Sequence, residues 1–323
     1  MAVYTEVSDE ALAAFVAGYD IGVITSCKGI AEGVENSNYV LTATSGSYIL
    51  TLYEKRVARG DLPFFLGLMD HLAAAGISCP VPLRDNTGNM LGELAGRPAA
   101  LITFLAGLSL RRPHVAHVAA LGGVLADLHQ AGRGFALKRE NSLSLSGWSD
   151  LVELLGGSAD TVNPGLAVLI GEELKALQAG WPHGLPEGVI HADLFPNNVF
   201  FMGERLSGVI DFYFACNDFL AYDIAVCLNA WCFEEDRSFN ITKGQALLTG
   251  YAKRRPLTAA ELDALPLLAR GAALRFLLTR AYDWLHTPET ALVKRLDPAE
   301  YVRKLRVLQK VRGVRELGWE IAS

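Results

Sequence analysis

His191, Asp193, Asn198 and Asp211 are the residues of this 323-residue chain whose types and spacing could do chemistry together. They lie in the run Val189–Phe201, where His191-Ala192-Asp193 is followed by Asn198, and in Gly208–Phe212, which carries Ile210-Asp211-Phe212. The first run passes from apolar residues through a polar loop to β-formers. The second reads as a short buried strand ending on a carboxylate, so the two predict a β-hairpin-like pair with acid and amide groups at one mouth. Phosphoryl transfer needs little covalent help from a protein; its catalyst works by positioning and by neutralising charge. The spacing His-x-Asp-x4-Asn, then Ile-Asp-Phe, supplies those parts. Asp193, in the loop, is placed to orient and deprotonate an attacking hydroxyl. The amide oxygen of Asn198 and the carboxylate of Asp211 are hard ligands suited to the Mg²⁺ that bridges nucleotide phosphates. His191 is read as an orienting group hydrogen-bonded to backbone near Asp211. The plainer alternative, polar residues capping two strands in a turn, has to explain several matched positions at once.

This segment resembles the catalytic loop and metal-binding strand of the aminoglycoside phosphotransferase and choline kinase-like superfamily, relatives of protein kinases that phosphorylate small alcohols. More narrowly, the chain is similar over nearly its full length to the homoserine kinase branch of that superfamily. The stretches that carry this are Tyr48–Arg56, Leu62–Phe65 with Leu68 and Met69, Ala100–Leu105 and Leu274–Trp284. The resemblance implies an α+β, bilobal protein kinase-like fold. Residues 1–106 would form a small nucleotide-binding lobe with an antiparallel sheet, and residues 107–323 a larger, mostly helical lobe for catalysis and substrate. It also implies ATP and Mg²⁺ as cofactors and L-homoserine as acceptor.

The elements that must position these groups follow from periodicity and turn chemistry. Residues 7–18 predict a helix capped by Ser8 and stopped by Gly18. Cys27–Leu41 predicts strand, glycine-bearing turn and strand. Gly29 and Gly33 let backbone approach phosphates, and the N–H groups of Asn36, Ser37 and Asn38 could add to an anion-binding nest. An ordinary hairpin turn would use the same residues; with the downstream motif in place, this is where a nucleotide-covering loop belongs. Tyr48–Tyr53 predicts the third strand. There the phosphate-pairing lysine of most relatives is replaced by Thr51, so Lys55 is assigned as its substitute, with Asp61 or Asp70 as the partner carboxylate. Lys55 could equally be a solvated surface charge.

Leu62–Ala75 has helical spacing, Cys79–Leu83 predicts a fourth strand and Ala99–Leu105 a fifth. By resemblance, Thr103, Phe104 and Leu105 form a hinge whose main chain pairs an adenine ring, and Gly107 marks the change of lobe. Further helices are predicted over 115–130, 166–177, 225–233, 242–253, 259–285 with a break near Pro266, and 298–317. His129 is expected to be a core or capping histidine, and Arg139, Asn141 and Trp148 to occupy an irregular stretch beside the cleft. Asp223 opens a helix, and by resemblance its carboxylate holds the catalytic loop in shape. Thr258–Glu261 has the form of a capping box.

Eleven residues separate Asp211 from Asp223, too few for a peptide-docking platform, which favours a small acceptor. An amino acid needs an arginine and an acid together, choline an aromatic cage, an aminoglycoside a cluster of acids. Asp218, Arg275, Arg280 and Asp283 suit an amino acid, while Trp231, Tyr282 and Trp284 leave choline open. An Arg280–Asp283 helix pair is the structural alternative. A nucleotide-binding pseudokinase is favoured by the uncharged Thr51, and a magnesium-dependent phosphohydrolase leaves Asn198 without a purpose.

Bulk properties exclude several other classes. A chain 51% hydrophobic and 20% charged can bury a large core. A net charge of −6 argues against nucleic acid as partner. Uncharged runs such as Pro98–Leu110 fall short of the ~20 residues of a membrane span. Glu6, Asp9 and Glu10 precede the first apolar residues without a basic region, so no signal peptide is expected. Five scattered cysteines without a CxxC pair predict reduced thiols and a cytoplasmic protein, monomeric or homodimeric.

Overall fold

The computed structural model describes residues 5–30, 36–54, 57–287 and 295–320. Gly33 and Lys55 lie outside the described residues. Helix α1 (Asp9–Val16) begins where the Ser8 hydroxyl accepts the Ala11 N–H at 3.2 Å. Strands β1 (Ile24–Gly29), β2 (Ser37–Ala43) and β3 (Gly46–Leu52) follow, then helix α2 (Leu62–Ala74), strands β4 (Gly92–Leu94) and β5 (Arg97–Thr103). They form an antiparallel five-stranded sheet in the order β1-β2-β3-β5-β4. Alternation in β2 turns Tyr39, Leu41 and Ala43 inward against Leu12, Val16, Leu50 and Leu101.

The expected strand over 79–83 is not there. Pro80 and Pro82 have no N–H to donate, so the segment only brushes β5, through Thr103 N–H to Val81 O (2.9 Å) and Leu83 N–H to Leu101 O (2.8 Å). The fourth strand is instead β4. Helix α2 buries Phe64 against Phe135 and Phe65 against Tyr213, so its apolar face belongs to the core of the larger, mostly helical part of the chain.

That part contains β6 (Leu108–Ser109), α3 (Val115–Ala131), α4 (Leu145–Leu155), α5 (Ala159–Val162), α6 (Leu166–Gly180), β7 (Glu187–Ile190), β8 (Val199–Met202), β9 (Arg205–Val209) and β10 (Cys216–Phe219), then α7 (Leu220–Trp231), α8 (Ile241–Ala252), α9 (Ala259–His286) and α10 (Ala299–Leu308). Two small sheets, β6-β8-β9 and β10-β7, carry the motif residues between the helices. Gly107, at φ 139°, lets the chain leave the five-stranded sheet: a Cβ there would sit 2.3 Å from Ser207 Oγ and 2.9 Å from Phe200 Cβ.

Three other expectations are corrected. Trp148 lies inside α4, not in an irregular stretch. Helix α9 runs unbroken through Pro266: the proline removes one ladder bond, but the run Gly271–Leu278 is wholly buried and holds the helix together. The last helix stops at Leu308, and residues 314–317 form a separate 3₁₀ turn that buries Leu317. The capping box at Thr258 and Glu261 is formed in both directions. Among the described residues no helix is long and apolar enough to cross a membrane.

Candidate active site

β7 feeds the chain into the loop at His191, and the β8–β9 hairpin returns it to Asp211. The Ile210 N–H donates to the Asn198 carbonyl at 2.9 Å, so register alone sets Asp211 beside Asn198. The imidazole of His191 is fully buried between them. Its Nδ1 accepts the Asp193 N–H at 3.3 Å, while Nε2 lies 3.0 Å from the Ile210 carbonyl. A carbonyl only accepts, so the ring is the neutral Nε2–H tautomer. Burial pushes its pKa below the usual histidine value, which agrees. His191 thereby clamps the Asp193 peptide to the residue preceding Asp211.

The Asn198 Nδ2 donates to the Asp193 carbonyl (2.8 Å) and to its carboxylate (3.2 Å). Both are acceptors, so the amide nitrogen must face Asp193 and the oxygen is turned away, toward Asn197 Nδ2 at 3.2 Å. The Asp193 side chain keeps 20% of its surface open, and its carboxyl is pushed up by burial and held back by Arg275, whose guanidinium lies 4.0 Å away. Asp211 is exposed, at φ 66°.

Ala192, between His191 and Asp193, also sits in the left-handed region (φ 63°), at a cost of about 1–2 kcal/mol for a residue with a Cβ. It is pinned from both sides. Its N–H donates to Asp223 Oδ1 at 2.9 Å, and its carbonyl accepts from the Arg275 guanidinium. The other Asp223 oxygen takes the His191 N–H at 2.7 Å and the His129 Nε2 at 3.1 Å, while His129 Nδ1 meets the Tyr251 hydroxyl at 2.8 Å. Burial alone would raise the Asp223 carboxyl; the hydrogen bond and charge of His129 and the bonds from His191 hold it below the usual range. The Trp231 indole closes the loop's far side by donating to the Leu194 carbonyl at 2.7 Å.

The remaining candidates fall in several places. Gly29 ends β1. Ser37 and Asn38 belong to β2 and not to the turn, and the side chains of Asn36, Ser37 and Asn38 bond to Glu54 or Thr51. Asp61 pairs with Arg139 (2.7 Å) and Asp70 with Arg84 (2.7 Å), so neither carboxylate turns to strand β3. Thr103 closes β5, Phe104 is exposed, and Leu105 packs on Gly208 of β9. Asp218 lies in β10, its carboxylate held by Asn141 at 2.6 Å and raised by burial. Arg275 is 2% exposed and lies under the loop, stacked on Phe276 and Phe214. Arg280 pairs with Glu300 (2.8 Å) of α10 and not with Asp283, its half-buried neighbour on α9. Sequence reasoning missed Glu300 and the two cations, Lys304 and Arg237, that join the pair; the i,i+4 spacing of Glu300 and Lys304 was the visible signal.

An antiparallel sheet set over a helical body, with an Asp loop and an Asn/Asp hairpin at its base, defines a phosphotransferase of kinase-like architecture. The chain belongs to the phosphotransferase enzyme family (APH), whose model matches residues 26–257. It is 63% identical over 318 residues to a homoserine kinase of Xanthobacter autotrophicus, covering 98% of this chain and 99% of that one. A homoserine kinase of Nitrobacter winogradskyi is 64% identical over 318 residues, 98% of each chain. Among solved structures, the amicoumacin kinase hAmiN in complex with AMP-PNP, Ca²⁺ and Ami shares the fold at TM-score 0.71 and 16% identity, with 95% of each chain covered. A choline kinase from Cryptosporidium parvum Iowa II does so at TM-score 0.69 and 16% identity, over 94% of this chain and 95% of that one.

Proposed function

We propose that this protein transfers the γ-phosphoryl group of ATP to the hydroxyl of L-homoserine, forming O-phospho-L-homoserine on the way to threonine. The observation that carries this is identity of 61–64% along essentially the whole chain to homoserine kinases. Asp193 is the catalytic base. The acceptor oxygen bonds to the γ-phosphorus as the bond to the β–γ bridging oxygen breaks, the hydroxyl proton passes to the Asp193 carboxylate, and ADP leaves. His191 orients Asp193, and Asp223 and Arg275 hold the loop between them; the burial of Arg275 supports this over a role as carboxylate ligand.

The donor set fits a hard divalent cation: a carbonyl-type oxygen of Asn198, turned away from Asp193, beside the exposed carboxylate of Asp211. We assign Mg²⁺ to them; when bound it neutralises charge developing on the phosphates. Gly29, Gly33, Asn36, Ser37, Asn38 and Lys55 are assigned to the nucleotide's phosphates, and Thr103, Phe104 and Leu105 to its base. Asp218, Arg280 and Asp283 remain candidates for the acceptor's charged ends. Unpaired thiols at all five cysteines suit a cytoplasmic enzyme. The test is ADP release from Mg-ATP with homoserine, choline, ethanolamine, kanamycin or no acceptor. Release with homoserine alone is expected; release without acceptor would make the protein a hydrolase.

A further inference from the structure

Beyond Asp193, the described residues hold one buried charge cluster whose balance does not close. On Glu300 of α10 converge Arg280 (2.8 Å), Lys304 (2.9 Å) and Arg237 (4.0 Å). Among the described residues no other carboxylate forms an ion pair with any of the three, although the exposed Asp236 lies in the same turn as Arg237. Arg280 and Lys304 are 11% and 5% exposed, so solvent does little to screen the surplus. Two further groups there are left without partners: the buried Nε of Arg237 and the buried hydroxyl of Tyr301. Arg237 is held at φ 70°, and strain of that kind at a non-glycine residue collects at functional sites.

Two aromatic rings, Phe276 and Tyr301, separate the cluster from Phe195 of the catalytic loop. Phe195 of the loop packs on Phe276 at 4.8 Å between centroids, Phe276 on Tyr301 at 5.4 Å, and Arg280 and Lys304 both lie 4.6 Å over the Tyr301 ring. A cavity of about 740 Å³ beside Pro196 of the loop is lined by Glu234, Glu235 and Asp236 of the turn that precedes Arg237 and, opposite in charge, by Arg111, Arg112 and Lys243. That turn sets acids and an arginine side by side, as a zwitterion requires.

We propose that Arg237 and Arg280, with Lys304 holding Glu300 in place, form an anion subsite that receives the carboxylate of an amino-acid acceptor. It rests on the alcohol phosphotransfer reading above and specifies the substrate class of that site. The test compares kcat/KM for L-homoserine with that for 3-aminopropanol, the same chain without the carboxylate, in wild-type protein and in Arg237→Met, the most exposed of the three cations. The homoserine-to-aminopropanol ratio should fall about tenfold to a hundredfold, chiefly through KM for homoserine, and Arg237→Lys should restore part of it. A fall of both activities with the ratio unchanged would show a merely structural role and overturn the proposal. So would calorimetric binding of inorganic phosphate that Arg237→Met abolishes while the ratio stays fixed. Wild-type protein that turns over aminopropanol as well as homoserine also overturns the subsite but leaves phosphotransfer standing, whereas turnover of neither removes both readings.

Discussion

At the scale of single residues, Asp193 carries two opposed demands. The base role proposed for it needs it ionised in a place where burial disfavours the charge. Asp193→Asn should lower kcat by about 10²–10⁴-fold, measured as homoserine-dependent ADP release. Its folded pKa is raised, so the ionised carboxylate costs stability once pH rises through that value and costs nothing below the ordinary aspartate pKa. Asp193→Asn should therefore melt higher than wild type at pH 7, and the difference should vanish in acid. Arg275 pulls the same carboxyl down. Arg275→Met should move the acid limb of kcat/KM to higher pH, and Arg275→Lys should return it part of the way; an unmoved limb would leave Arg275 with the Ala192 carbonyl alone. The convergence of His191, Asp193, Asn198 and Asp211 was legible in the chain because spacing between polar groups survives as text. The roles of the arginines were not, since Arg275 and Arg280 show only helical periodicity, and which face is buried depends on partners far along the chain.

At the scale of elements, Asp223 is where helix α7 seizes the loop. It answers two backbone N–H groups and His129 at once. Asp223→Ala leaves these buried donors unsatisfied and should cost roughly 3–5 kcal/mol, read from urea denaturation. Because its pKa is depressed, the stabilisation it supplies is present above the ordinary aspartate value and is lost as pH falls through its folded value, so the two proteins should converge in strong acid. Helices with strong apolar spacing, α2, α3 and α6, were legible in the sequence, as were the Ser8 and Thr258 caps. The two-proline segment over 79–83 misled, because its apolar residues read as a strand while its missing donors forbid one. β10 went unseen, since Cys216–Phe219 carries polar residues that make sense only beside β7 and Asn141.

At the scale of the molecule, a net charge of −6 means that no broad positive field gathers the nucleotide. Binding should then depend on metal and local groups: Mg-ATP at a hundredfold over its Kd should stabilise the fold by about 2.7 kcal/mol, visible as a rise in Tm that EDTA abolishes. The kinase-like fold class was legible from motif order, but the allegiance of α2 to the larger core was not, because it is decided by aromatic contacts with Phe135 and Tyr213. The distribution of thiols has a practical outcome. All five thiols are pushed up, Cys27 by partial burial and by Asp9, but Cys79, Cys216, Cys227 and Cys232 are buried whereas Cys27 lies exposed on β1, two residues before the last of that strand. A maleimide dye at mildly alkaline pH should attach once per native chain, at Cys27, giving a fluorescent reporter at the rim of the small sheet without any engineered cysteine.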